Sequence, residues 1–249
     1  GESHGYIQVE EYNLIVRVTA ITRRRHAVIS SIISQVTPSE SSVIKRLAYE
    51  PLYLEHLRDT LGLKGVKRVA MHEPLTNLRK VVTVVVDRAM PRTEVWRMFA
   101  GVSSLQPAIG KICIAVNEDI DPENADALWW AIAYRCNPME DVHITPYRSE
   151  GHAPHTTGSG VESTMFIDAT LKCDMPPVAL PKKEYMEQAR MIWEELGLPK
   201  LTPQTPWFGY SLGLWCDAWD ACARRAVAGD WIANGERSAA AAKPLDEPQ

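Results

Sequence analysis

The first residues whose types could do chemistry are Glu2, His4 and Tyr6, in the opening Gly-Glu-Ser-His-Gly-Tyr. A carboxylate flanked by glycines, which let backbone approach a ligand, can serve as a general acid once desolvation raises its pKa. A solvated polar terminus is the competing reading. The second candidate is Asn-Glu-Asp-Ile-Asp, in which Glu118, Asp119 and Asp121 follow the apolar run 111–116. Carboxylates beyond the carboxyl end of a strand can hold Mg²⁺, but Asp121-Pro122 equally reads as the N-cap and first residue of a helix. The third is His152-x-x-His155 with Glu150 nearby, in a stretch too rich in glycine to fix a metal's geometry. There is no Walker A, GxGxxG or HExxH motif. Common nucleoside-triphosphatase, dinucleotide-binding and zinc-protease readings therefore have no support.

Composition narrows the partners. A net charge of −4 over 249 residues supplies no cation excess to displace counterions from nucleic acid. The basic run Arg23–Arg25 with His26 reads as a turn between two strands. No apolar stretch reaches the roughly 18–20 residues of a membrane span; the most apolar, Val81–Val86, is strand-sized. The five cysteines show no CxxC spacing, which fits reduced thiols in the cytoplasm rather than a disulfide framework or a zinc site.

The elements that must position these residues follow from periodicity. Asn13–Ile21 and Ala27–Ile33, rich in Val, Ile and Thr, predict strands, the tail of a sheet begun upstream. Thr37-Pro38-Ser39-Glu40 predicts a helix start capped by Thr37, with one or two helices broken near Pro51 and ended by Gly62 and Gly65. Lys67–Met71 and Arg79–Val86 predict strands, the second covered on both faces because its valines do not alternate with polar residues. A helix over 93–100, a strand over Lys111–Val116, a helix opened by Asp121-Pro122 and a strand over Val142–Thr145 complete a layered α/β alternation. The Gly-, His- and Thr-rich 146–161 reads as a loop, and Phe166–Ala169 as a short edge strand. Lys182–Leu196 and Cys216–Ala228 predict amphipathic helices, the latter bearing Trp215 and Trp219, before a frayed tail from Ser238.

Gly110–Val142, "GKICIAVNEDIDPENADALWWAIAYRCNPMEDV", resembles the strand, acidic turn and helix of the UbiD-type decarboxylases, the family that uses prenylated FMN. "IDATLK", Ile167–Lys172, resembles another signature of that family. "IWEELGLP" and "PWFGYSLGLW" are similar to the C-terminal tails of some members. Within this resemblance, Gly1-Glu2 and Gly5-Tyr6 match the second half of the motif E-G-P-F-G-E-x-x-G-Y in the wall of the cofactor pocket. The loop "RSEGHAPHTTGS" departs from the commoner family form and leaves the substrate class open.

The resemblance implies an α/β chain in three parts. Residues 1–36 end a β-rich, split-barrel-like cofactor domain, 37–180 form a layered α/β C-terminal domain, and 181–249 form a helical oligomerisation tail. It implies a reversible, non-oxidative (de)carboxylase acting on an aromatic or α,β-unsaturated acid through a prenylated-FMN adduct, with Glu2 as proton donor. His4, Glu40, Ile44 and His152 fall on the substrate side and Lys111 near the cofactor phosphate; plain core is the stronger reading of Ile44, and a solvated strand end an equally good one of Lys111. The implied Mn²⁺ or Mg²⁺, the K⁺ and their ligands belong to an N-terminal half upstream of Gly1. The chain is then expected to be a fragment or one piece of a split enzyme. Its expected partners are that half, further copies in a dimer or hexamer, and a flavin prenyltransferase as supplier, with no nucleic acid or membrane. Two alternatives stand beside this: a non-catalytic assembly module, and a metal hydrolase using Asp119, Asp121 and His152.

Overall fold

The protein was analysed as a computed structural model that describes residues 6, 14–33, 35–72, 80–149, 161–199 and 215–242. The described residues up to Lys172 form one compact unit and those from Cys173 onward a second.

Unit one is a five-stranded sheet ordered β1-β2-β3-β5-β4, built from β1 (Val66–Met71), β2 (Val81–Val86), β3 (Ile112–Asn117), β4 (Val142–Ser149) and β5 (Val161–Asp168). β2, β3 and β5 are parallel, while β1 and β4 are antiparallel edges. Helices α1 (Glu40–Glu55), α2 (Arg92–Leu105), α3 (Ala125–Arg135) and the short α4 (Pro138–Asp141) belong to the same unit. Covered on both faces, β2 shows why its valines do not alternate with polar residues. Val82, Val84 and Val86 pack with Tyr53, Leu57, Met98 and Phe99, while Val85 packs with Ile120, Leu128 and Ala131. Such double coverage is the condition under which parallel strands persist.

The predicted strands Asn13–Ile21 and Ala27–Ile33 do not form in their described part. Leu14, Ile15, Val28 and Ile29 are 88–100% exposed. Branched side chains favour extended backbone, but a strand exists only where a neighbour takes its N–H and C=O groups. No such neighbour is present among the described residues.

The start of α1 also differs from expectation. Ser39, not Thr37, is the N-cap: its side chain accepts from the Ser42 N–H at 3.4 Å while Ser42 Oγ accepts from the Ser39 N–H at 3.1 Å. This reciprocal pair outcompetes the Thr-Pro start. The helix runs unbroken through Pro51 into a π-helical turn, His56–Thr60, and Gly62 at φ +73° ends the segment as predicted. The helix expected over 93–100 extends to Leu105.

At α3 the cap is Asn124, whose Oδ1 accepts from the N–H groups of Asp126 and Ala127, while Asp121 instead closes the preceding turn by accepting from the Glu123 N–H. The expected edge strand at Phe166–Ala169 is β5, an interior strand, because β4 pairs antiparallel along its outer side.

Unit two contains α5 (Lys183–Glu195), α6 (Asp217–Val227) and α7 (Trp231–Ala241). α7 overlaps the expected frayed tail; its alanines are the best helix formers. No side chain of these three helices is buried. No helix among the described residues is long and apolar enough to cross a membrane.

Candidate functional site

Ser39 sets the geometry of the first candidate. By fixing the entry into α1 it places Glu40 in the first turn, where a carboxylate faces the positive end of the helix. Glu40 and Ile44 lie four residues apart and so share a face. With Gln35, Pro38, Ser39 and Val43 they line an open groove of about 530 Å³. Val43 and Ile44 remain 47% and 55% exposed, an apolar wall about half open. Such a wall beside one carboxylate suits a flat, largely apolar ligand.

The groove stands at the N-terminal end of α1. Arg46, one turn further along α1, reaches Glu123 in the turn that follows β3, with Nη2 to Oε1 at 2.7 Å.

Lys111 lies at the amino edge of β3 and does not line the groove with Glu40 and Ile44. Its ammonium is 3.0 Å from Glu162, whose other oxygen is 3.3 Å from Lys80. Burial would push the Glu162 carboxyl up, but the two ammonium groups together outweigh it and hold the pKa below the ordinary value. A carboxyl whose folded pKa is depressed adds stability above its unfolded value near 4.5 and loses it as pH falls through the folded value. Glu162→Gln is therefore expected to flatten the acid limb of thermal stability below about pH 5. An acid limb identical to the parent's would show that the triad contributes nothing.

The acidic stretch after β3 is occupied by cations of the chain itself. Arg135 binds both oxygens of Asp119, at 3.0 and 2.5 Å, with its guanidinium stacked over Trp130. Glu118 lies 3.9 Å from Lys67. Among the described residues no group of three His, Cys, Asp or Glu side chains converges to hold a metal ion. Asp119 as a metal ligand would first have to surrender its arginine.

"IDATLK" is a knot at the carboxyl end of β5. Asp168 Oδ1 accepts from the Thr170 N–H at 3.0 Å and its hydroxyl at 2.6 Å. Lys172 Nζ donates to the Arg135 and Asp168 carbonyls and lies 3.0 Å from Asp141, which also receives Arg92 at 2.8 Å. Sequence reasoning missed Asp141, Arg92, Arg46, Glu123 and Glu162, because pairs between distant segments leave no periodic signal. Glu2, His4, His152 and His155 lie outside the described residues.

Residues 42–169, about half of the 249, match the domain family described as the 3-octaprenyl-4-hydroxybenzoate carboxy-lyase C-terminal domain. The chain belongs to the UbiD family. It is 28% identical over 228 residues to an uncharacterized protein of Synechocystis, covering 85% of this chain and 44% of that one. It is 41% identical over 58 residues to a phenolic acid decarboxylase of Streptomyces, 23% of this chain and 12% of that one. In fold it is similar to the UbiD-class enzyme HmfF of Pelotomaculum thermopropionicum in complex with FMN (TM-score 0.54, 20% identity, 63% of this chain and 36% of that one). It is likewise similar to the vanillic acid decarboxylase of Sedimentibacter hydroxybenzoicus (TM-score 0.52, 20% identity, 66% and 36%). The chain thus spans less than half the length of the relatives it matches.

Proposed function

We propose that this chain is the C-terminal portion of a reversible, non-oxidative (de)carboxylase acting on an aromatic or α,β-unsaturated carboxylic acid, with prenylated FMN as cofactor and Glu2 as proton donor. The observation that carries the reading is the family match over 42–169 combined with the groove at the start of α1. The groove fits one face of a flat ring. Among the described residues that line it there is no cation for the cofactor phosphate, and Lys111 stands at the amino edge of β3 beside Glu162. The metal ions and the remaining flavin contacts are assigned to an N-terminal half of the enzyme, with a flavin prenyltransferase as supplier.

When bound, the cofactor supplies an electron sink for loss of CO₂. The chain's own part is to exclude water and to move a proton. Val43 and Ile44 dry one side of the substrate, which strengthens each polar contact on the other side. Glu2 returns a proton to the carbon that has lost its carboxylate, and takes one in the carboxylation direction. His4 and His152 are proposed to approach the same pocket. The test is to join the chain to its upstream half, load prenylated FMN, and measure CO₂ release together with H/D exchange into aromatic and α,β-unsaturated acids. Absence of both would remove the decarboxylase reading.

Residues 181–249 are proposed as the oligomerisation tail, because α5–α7 bury no side chain of their own. Apolar residues on three helices without a core need a covering surface, and a second copy provides one. Deleting the residues after Gly209 is expected to lower the oligomeric state in sedimentation; an unchanged assembly would retire the tail assignment.

A further inference from the structure

We propose that Arg46 and Glu123 form an ionic clasp that fixes where the α1 groove stands, which makes both of them positioning residues for the reaction; the proposal rests on the groove being the substrate side. Apolar packing does little to hold the first half of α1, whose start is anchored by buried Thr37, Ser39 and Ser42. Val43, Ile44 and Leu47 are exposed, Leu47 at 72%, and the apolar packing of this helix against the main core begins only at Tyr49 and continues through Tyr53, Leu54 and Leu57. From Tyr49 back to Glu40 the helix extends about 13 Å at 1.5 Å per residue. That length carries the groove.

One guanidinium spans the gap. Arg46 Nε donates to Glu50 Oε1 at 2.8 Å, and the same oxygen accepts from the Met71 N–H of β1 at 2.8 Å. Arg46 Nη2 pairs with Glu123, which also pairs with Arg68 of β1. Glu123 is itself held in its turn, since its N–H donates to Asp121 Oδ1 at 2.9 Å. The path therefore runs from β1 through Glu50 and Arg46 to the turn after β3 and back to β1. Arg46 precedes Glu50 by four residues, the less favourable order for an intrahelical pair. That order argues for a tertiary role over helix stabilisation. Burial opposes the charge on Arg46, but the two carboxylates outweigh it and hold its pKa above the ordinary value. Only arginine's planar fork serves two carboxylates in different directions at once; lysine is a point charge. The acidic stretch that suggested a metal thus has another use: Glu123 is the post to which α1 is fastened.

The test uses the full-length, cofactor-loaded enzyme with Arg46→Met, Glu123→Gln and Arg46→Lys. Amide exchange over 41–48 is expected to accelerate about tenfold in the Met and Gln variants and less in the Lys variant, with β2 and β3 unchanged. KM for the acid substrate is expected to rise several-fold with a smaller change in kcat. Unchanged exchange over 41–48, or acceleration of all amides together, overturns the clasp whatever the activity. Faster exchange with unaltered KM overturns the positioning role and takes the groove off the substrate path. A parent enzyme that neither releases CO₂ nor exchanges H/D instead sinks the reaction assigned above, and the exchange experiment still decides the clasp.

Discussion

Replacing Glu2 by Gln in the full-length, cofactor-loaded enzyme is expected to lower kcat for CO₂ release by about 10²–10⁴-fold, the range typical of a lost general acid. Substrate H/D exchange should fall in parallel, because both steps use the same proton. The carboxamide keeps the shape and hydrogen-bonding edge of the carboxyl group but has no proton to give as an acid. KM is expected to change little, since the loss is of an interaction made as carbon takes the proton. If CO₂ release and exchange both continue at the parent rate, the donor is another group. Retained exchange with lost CO₂ release would assign Glu2 to carboxylate departure and remove it from proton delivery.

The second large effect is on stability. Lys172→Met is expected to destabilise unit one by about 2–4 kcal/mol, somewhat less than breaking a fully buried pair because water reaches part of this lysine. Its ammonium is held by oxygens: the Arg135 carbonyl at 2.7 Å, the Asp168 carbonyl at 2.5 Å, Asp141 at 3.0 Å and the Asp168 carboxylate at 3.6 Å. Asp141 and Asp168 are both buried. Removing the cation leaves Asp141 with Arg92, but leaves Asp168 with Thr170 as its only side-chain partner among the described residues, and Asp168 Oδ2 has no hydrogen-bond partner there even in the parent. A buried carboxylate without its countercharge costs far more than the apolar stem of methionine gains. The check is the midpoint of urea unfolding, with Lys172→Met/Asp168→Asn expected to recover part of the loss. A change below about 0.5 kcal/mol would place Lys172 among ordinary surface residues.

Comparison of sequence and structure shows where local pattern is enough. The valines of β2 and the apolar run of β3 announce strands covered on both faces, and both form. The start of α1 was legible to within two residues, but Thr37, Ser39 and Ser42 all carry hydroxyl groups, and the reciprocal bonds between the two serines decide the cap. β5 looked like an edge because its order in the sheet depends on β4, which pairs with it from outside. The described part of the strands expected in 13–33 does not form, for the same reason in reverse: it has propensity without a partner among the described residues.

The candidate site divides likewise. Glu40 and Ile44 follow from helix spacing and the family resemblance. The Arg46–Glu123, Lys111–Glu162 and Lys172–Asp141 pairs join segments far apart in sequence, and only the tertiary structure places them together.

The exposed apolar stretch over 14–33 also bears on protein quality control. Runs of Ile and Val without a partner strand are templates for intermolecular pairing and for recognition by chaperones and proteases. Arg23–Arg25 divides this stretch in two, a charged gatekeeper between aggregation-prone segments. A partner sheet that covered the stretch would shield it. Co-production with the upstream half is therefore expected to raise the soluble yield of these residues, and a protease added without that half should cut first within 14–33.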